Sequence, residues 1–244
     1  PGPRTPYGPD ELNKLHEYIG KGGNIFALFN FFSLQRTTGL ETFFEEYGFE
    51  IGANQVSDSK NEQSGNPGLL LIDDLGSHPI TKPILGSRLQ MLLPRSIGYP
   101  KVNEGNDDPP TISVLANSSS SSQAIIQTQD KKGAVEKEGK IPLIAAKIHS
   151  NESQAPARIV VTGDSLFLGD GAFEAGANRD FANLAVNLLL ERTHLLEIEP
   201  RAVTEYRINL SSAEMNSITW VLLFLLPCGT LSIGLLWWRR QMKR

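Results

Sequence analysis

The chain has 244 residues, 23 Lys and Arg against 27 Asp and Glu, and a formal net charge of −4. With 40% hydrophobic and 20% charged residues it has an ordinary globular balance, which excludes a wholly disordered or collagen-like polymer. Its single cysteine, Cys228, excludes an intrachain disulfide framework and any multi-cysteine zinc or iron–sulfur centre.

The chain begins at Pro1 with no Met, basic stretch or apolar stretch of an export signal. Together with the membrane anchor described below, this predicts the C-terminal part of a longer chain. Pro9-Asp10-Glu11 followed by Leu12, Leu15, Tyr18 and Ile19 predicts a capped amphipathic helix ended by Gly20 and Gly22-Gly23. Asn24–Phe29 is a short apolar, aromatic run and predicts a buried strand. Leu40–Tyr47 repeats the helical pattern and stops at Gly48, and Phe49–Val56 predicts a strand with Asp58 just beyond it. Helix, glycines, strand, helix, glycine, strand is the order of an α/β domain, and it predicts a largely parallel sheet flanked by helices.

The middle of the chain is less regular. Ser59–Pro67 reads as a polar loop, Leu69–Ile72 as a strand, and His78-Pro79-Ile80-Thr81 as a turn. Met91–Leu93 and Ile97 have the composition of buried positions. Asn103–Pro110 and the serine run Ser118–Ser122 read as loops. Ile112–Leu115, Ala124–Gln127 and Leu143–Ile148 predict strands, with a charged turn over Asp130–Lys140. Arg158–Thr162 is a β-branched strand running into Gly163-Asp164-Ser165. In Arg179–Arg192, apolar Phe181, Leu184, Ala185, Leu188 and Leu189 predict a helix lying on a sheet. Leu195–Ile198 has the pattern of an edge strand.

Ile218–Trp238 is an uncharged stretch followed at once by Arg239, Arg240, Lys243 and Arg244. A helix of that length reaches roughly 31 Å, enough to cross a hydrocarbon core. Trp220 and Trp237–Trp238 stand where interfacial aromatics belong. The tail's four positive charges leave a net −8 on the residues before the span, against −4 for the whole chain. The positive-inside rule then puts the tail in the cytoplasm and the acidic body outside, and an acidic body excludes the basic footprint of a nucleic-acid binder. The expected organisation is an extracytoplasmic α/β domain over 1–199, a stalk over 200–217, one membrane helix over 218–238 and a basic tail over 239–244. Within the span, Thr230 and Gly234 form a small-residue face of the kind that admits a neighbouring helix.

Several segments taken in order resemble the membrane-anchored auxiliary component of ABC-type transport systems, typified by the gliding-motility GldG proteins. They are Gly2-Pro3 with the helix to Ile19, Gly22-Gly23 with Ile25–Phe29, and Gly39-Leu40 with Tyr47-Gly48, Val56 and Asp58. His78–Thr81, Arg95-Ser96-Ile97, Gly163–Phe167, Asn178–Asp180 and Asn183–Asn187 continue the series, before a stalk, one membrane helix and a basic tail. Where the family often carries Thr-Ser-x-x-Ser-Trp, Ala116–Ser122 has the serines and no Trp. The resemblance implies a fold like the class I glutamine amidotransferase α/β domains, and an accessory role beside an ABC permease and ATPase. The only cysteine lies in the membrane span, so thiol amidotransferase chemistry is excluded.

Three sequence patterns bear on catalysis or cofactor binding. Gly163-Asp164-Ser165-Leu166 spells the nucleophile block of GDSL-type esterases, with Glu191-x-x-His194 as the nearest acid–base analogue, too close in sequence to leave room for oxyanion-hole blocks. The bland alternative is a loop in which Asp164 and Ser165 bond the backbone. His16, His78, His149 and His194 have no metal-ligand spacing. Gly133–Ile141 fails as a phosphate loop because Ile141 stands where a Ser or Thr would hold magnesium. Ligands of doubly wound sheets gather at strand carboxyl ends. That rule makes Asn30, Asp164, Ser165 and Asn178 the candidate ligand-binding residues, with Asn178 and Asp180 also readable as N-caps. No cofactor is expected. The sequence thus supports a non-catalytic ABC accessory subunit first, a membrane-anchored serine hydrolase using Ser165 second, and a solute-binding domain for a glycan or peptide third. Aromatic residues lining the strand-end cleft would favour the third.

Overall fold

The computed structural model describes residues 2–3, 5–34, 38–64, 66, 68–98, 112–127, 132–151, 154–192 and 210–242. The predicted loop at 103–110, the edge strand at 195–198, His194 and positions 200–209 of the expected stalk lie outside the described residues. So do Lys243 and Arg244 of the tail.

The chain opens with α1 (Pro9–Gly20), where Pro9 takes the first helical turn and Glu11 reaches back to accept from the Gly8 amide at 2.8 Å. β1 (Ile25–Leu28), α2 (Leu40–Glu46), β2 (Glu50–Ile51) and β3 (Asn54–Asp58) follow. The strand expected over Phe49–Val56 is broken at Gly52-Ala53, so its halves join different sheets. β4 (Leu69–Ile72), β5 (Asp74–Leu75), β6 (Leu89–Leu92) and β7 (Ile97–Gly98) occupy the middle. β8 (Ile112–Asn117), β9 (Ser122–Ile126), β10 (Val135–Glu138), β11 (Pro142–Asn151) and β12 (Gln154–Thr162) lead to α3 (Asn178–Leu189).

The main sheet has five strands in the order β1-β12-β11-β8-β5. Only β1 and β12 run parallel, with Leu28 opposite Thr162, whereas β12–β11, β11–β8 and β8–β5 are all antiparallel. The expectation of a largely parallel sheet is therefore corrected: the fold is mixed α/β with a predominantly antiparallel sheet. The physical reason is connection length. A parallel pair needs a crossover of a dozen or more residues, and only two residues, 152 and 153, separate β11 from β12 in sequence. Three smaller antiparallel pairings, β10-β9-β3, β2-β7 and β4-β6, pack around this sheet.

Both faces of the sheet are covered. Along β12, Ala157, Ile159 and Val161 turn toward α1 and α2, where they meet Ile19, Phe43, Phe44 and Phe49. Val160, with Ile144 and Ala146 of β11, turns to the other face and meets Phe181, Leu184, Ala185 and Leu189 of α3. That alternation is the period of a strand, and burial on both sides explains why β12 reads as an unbroken apolar run.

The C-terminal helix spans Ser212–Gln241, is long and apolar enough to cross a membrane, and buries none of its apolar stretch in the rest of the chain. Ser211 caps it, its hydroxyl accepting from the Glu214 amide while the Glu214 carboxylate accepts from the Ser211 amide. The helix widens to a π-turn over Val221–Leu225, just before Pro227, which has no N–H and needs room for its ring. The helix starts at Ser212, so the last part of the segment expected to be a stalk is already helical.

Candidate functional site

The parallel pairing of β1 with β12 sets their carboxyl ends side by side, and the Phe29 amide continues the ladder to the Thr162 carbonyl at 2.9 Å. Asn30 bridges the two ends. Its Nδ2 donates to Ser165 Oγ at 2.9 Å, and its Oδ1 accepts from the Phe32 amide at 3.0 Å, capping the short 3-10 turn Phe31–Ser33. Asn30 and Ser165 thus come together at two neighbouring strand ends, but the segment at Gly2 lies across them. The Gly2 amide donates to the Leu28 carbonyl, and a Cβ on Gly2 would stand 2.2 Å from Asn30 Nδ2 and 2.9 Å from Ser165 Oγ. Among the described residues the side-chain partner of Ser165 Oγ is the Asn30 amide, a group that cannot take up its proton.

Asp164 and Asn178 point elsewhere. Asp164 is fully buried and accepts from the Leu92 amide at 2.7 Å through Oδ2 and from the Leu166 amide at 2.7 Å through Oδ1. Burial pushes its carboxyl up to about 6, against the pull of those amides and of Phe167. Asn178 Oδ1 accepts from the Gln90 amide at 2.9 Å, and its Nδ2 donates to the carbonyls of Gln90, Phe167 and Ala172. The N-cap of α3 is Ala177, so neither Asn178 nor Asp180 caps the helix. Asp164 and Asn178 instead satisfy backbone groups of β6, which pairs with β4. Their polar atoms are consumed by the fold.

Behind the strand ends lies a residue the functional reading of the sequence did not single out. The Arg95 side chain is 2% exposed. Its Nε donates to the Gly52 carbonyl at 2.8 Å, and Nη1 donates to Ser33 Oγ and to Glu41 Oε1, each at 3.0 Å. Its guanidinium also sits 5.3 Å from the centre of the Phe29 ring. Burial raises the Glu41 carboxyl, but Thr38 and Arg95 more than offset this and hold it below the usual range. This pair braces the turn that carries Phe31 and Phe32.

In front of that brace is an open cleft of about 290 Å³ lined by Phe31, Phe32, Leu34, Gln55 and Gln127. The two Phe rings lie with centroids 4.2 Å apart and planes tilted by 36°, and Phe32 is 47% exposed. Gln55 alternates with buried Asn54 and Val56 on β3, so it faces outward, and Gln127 follows β9. Neither carboxamide has a hydrogen-bond partner among the described residues. The nearest signal in the sequence is the aromatic pair just past a strand end.

The remaining candidates lie along the apolar C-terminal helix. Thr230 and Gly234 line one shallow groove with Leu231, Leu235 and Trp238. Thr230 Oγ1 donates to the Pro227 carbonyl at 2.8 Å, so its hydroxyl is already satisfied within the helix.

The fold is a mixed α/β sheet covered on both faces, with one apolar C-terminal helix. It is similar to a solved structure titled "mmIFT52 N-terminal domain", with a TM-score of 0.55 and 14% identity over 77% of this chain and 74% of that one. At that identity the likeness concerns the fold alone. No protein-family model matches the chain, and no curated protein does.

Proposed function

We infer that the chain is a non-catalytic, membrane-anchored accessory subunit of an ABC-type transport complex, a class that includes gliding-motility systems, as the sequence resemblance implies. On this reading the acidic α/β domain lies outside the cytoplasmic membrane and the tail beginning at Arg239-Arg240 lies inside. The observation that carries it is how the anchor begins. Ser211 forms an antiparallel bridge to Gln63, the Ser212 amide donates to the Glu62 carbonyl at 2.8 Å, and the Ser64 amide donates to the Leu210 carbonyl at 3.2 Å. Arg88 closes the joint with two bonds to Glu214. A domain fastened in this way to the first turn of its membrane helix can pass a load or a reorientation to whatever packs against that helix. The Thr230–Gly234 groove is the face on which a permease helix would pack.

The test is a detergent pull-down of the full chain through a tag on its tail, followed by mass spectrometry. An ABC ATPase and a multi-span permease are expected with it, and a clean preparation of the chain alone would overturn the reading. A fluorophosphonate probe run on the same material addresses the hydrolase alternative: no label on Ser165 is expected, and a label lost in Ser165→Ala would reverse the assignment.

A further inference from the structure

We propose that the loop over residues 82–88 rests on the bilayer surface, the Leu85 side chain dipping among the lipid headgroups and the Lys82 ammonium meeting their phosphates. The inference rests on the reading that the helix over 218–238 crosses a membrane, and goes beyond it: the α/β domain lies on the leaflet instead of standing off from it. Its test needs no transporter partner and carries a separate check on the span.

Strand direction decides which end of the domain faces the bilayer. Residues 61–63 run antiparallel to β4, the Gln63 amide donating to the Leu69 carbonyl at 2.7 Å and the Leu71 amide to the Asn61 carbonyl at 2.8 Å. The segment entering the C-terminal helix is antiparallel to residues 62–64 in turn, with Ser211 opposite Gln63. That segment therefore points the same way as β4, and the helix leaves the domain at the Ile72 end. Ile72 pairs with Leu89 of β6, so the loop that leads into β6 stands at that same end. The Arg88–Glu214 ion pair joins the loop to the helix there.

Helix rise sets the depth. Glu214 precedes Ile218 by four residues, about 6 Å along the axis. The headgroup region adds roughly 5–8 Å on each side of the hydrocarbon core. Glu214 therefore falls within the headgroup layer, and Arg88, bonded to it at 2.8 Å, is held at the same level. Three positions before Arg88, Leu85 is 51% exposed, next to Gly86, where a Cβ would have nothing within 4 Å. Buried Ile84 roots the loop in the core, and exposed Lys82 forms no ion pair among the described residues. A lone exposed leucine needs no explanation by itself; this one is set apart by its place at the end from which the helix departs. An apolar tip flanked by two cationic side chains suits an interface, the apolar group below and the charges level with the phosphates.

The experiment is electron paramagnetic resonance on the nitroxide-labelled full chain in nanodiscs, in a Cys228→Ser background. It compares collisions with oxygen, which concentrates in lipid, and with a water-soluble nickel chelate. Ser87→Cys puts a label in the loop and leaves Leu85 native. Asn66→Cys puts one at the opposite end of β4, and Leu231→Cys one in the span. These three positions and Leu85 are all exposed, so the variants fold. The oxygen-to-nickel ratio at position 87 is expected to lie between those at 66 and 231, and Leu85→Asp is expected to lower it to the value at 66. A ratio at 87 equal to that at 66, or unchanged by Leu85→Asp, would overturn the proposal, and a lipid-like ratio at 231 would leave the anchor standing. An aqueous ratio at 231 would overturn both. A label at 87 immobilised and shielded from both reagents would mean that protein, not lipid, covers the loop, and would also overturn the proposal.

Discussion

Arg88 and Glu214, 126 positions apart, meet in a two-point ion pair: Nη2 to Oε1 at 2.8 Å and Nη1 to Oε2 at 3.3 Å. The pair ties the segment entering β6 to the first turn of the C-terminal helix, where the Glu214 carboxylate also accepts from the Ser211 amide. Both side chains are 39% exposed, so solvent screening limits its contribution to about 1 kcal/mol. Its effect is therefore expected in geometry more than in stability. Arg88→Ala should leave the melting temperature nearly unchanged and widen the distribution of domain–helix distances. Double electron–electron resonance between labels on α1 and the helix C-terminus, in a Cys228→Ser background, measures this. An unchanged distribution would mean that the backbone bridge at Gln63–Ser211 suffices alone.

Asp164 makes stability depend on pH in an unusual direction. Its carboxyl rises from 3.8 to about 6 on folding, so the folded state holds this proton more tightly than the unfolded chain. Its contribution to stability is then complete below about 3.8 and lost as pH rises through 6, by roughly 3 kcal/mol at most. Asp164→Asn removes the titration and turns an NH₂ toward a backbone donor, which costs about 1–3 kcal/mol. The stability gap between native chain and variant should therefore be widest near pH 4 and narrow toward pH 7. Denaturant titrations of both proteins across that range would show it, and a constant gap would refute the assignment.

Asn178 makes a separate prediction because its Nδ2 serves three carbonyls while its Oδ1 serves one amide. Asn178→Ala should destabilise by about 2–4 kcal/mol, several buried backbone groups losing their partner at once. Asn178→Asp should be at least as damaging, since a carboxylate would face carbonyl oxygens. If Asn178 acted as an N-cap, Asp would be an adequate replacement. Thermal unfolding of the two variants separates these roles.

These cases show what the sequence could and could not reveal. α2 and α3 were legible because their apolar residues recur at helical spacing, and β1 and β12 because both are buried runs stopped by polar loop residues. Strand direction was not legible, because an apolar run such as Leu143–Ile148 looks the same in a parallel or an antiparallel sheet. β10 was missed inside the supposed charged turn, since Val135–Glu138 is a charged edge strand with little burial. In the site, the places of Asn30 and Ser165 just past strand ends were legible, but that β1 and β12 are neighbours, which brings the two side chains together, was not. Nor was the actual work of Asp164 and Asn178, because their partners in β6 lie 72 and 88 positions away. Arg95 gathers Ser33, Glu41 and Gly52 from three separate segments, and no local pattern announces such a residue.

Gly163 tests how closely the Arg95 segment is seated on the strand end. The Gly163 amide donates to the Leu143 carbonyl and its carbonyl accepts from the Arg95 amide, each at 2.9 Å, so the backbone is held from both sides. A Cβ on Gly163 would lie 1.9 Å from the Arg95 carbonyl oxygen. Arg95 cannot retreat easily, because its guanidinium is anchored to Gly52, Ser33 and Glu41. Gly163→Ala should therefore destabilise the domain by about 3 kcal/mol, at the upper end of the usual overpacking range. Gly171→Ala, with nothing within 4 Å of the new methyl, should stay within about 0.5 kcal/mol of the native chain. Denaturant unfolding of the pair gives the comparison. Equal stabilities would mean that the Arg95 segment does not rest against the end of β12, and the brace behind Phe31 and Phe32 would have to be redrawn.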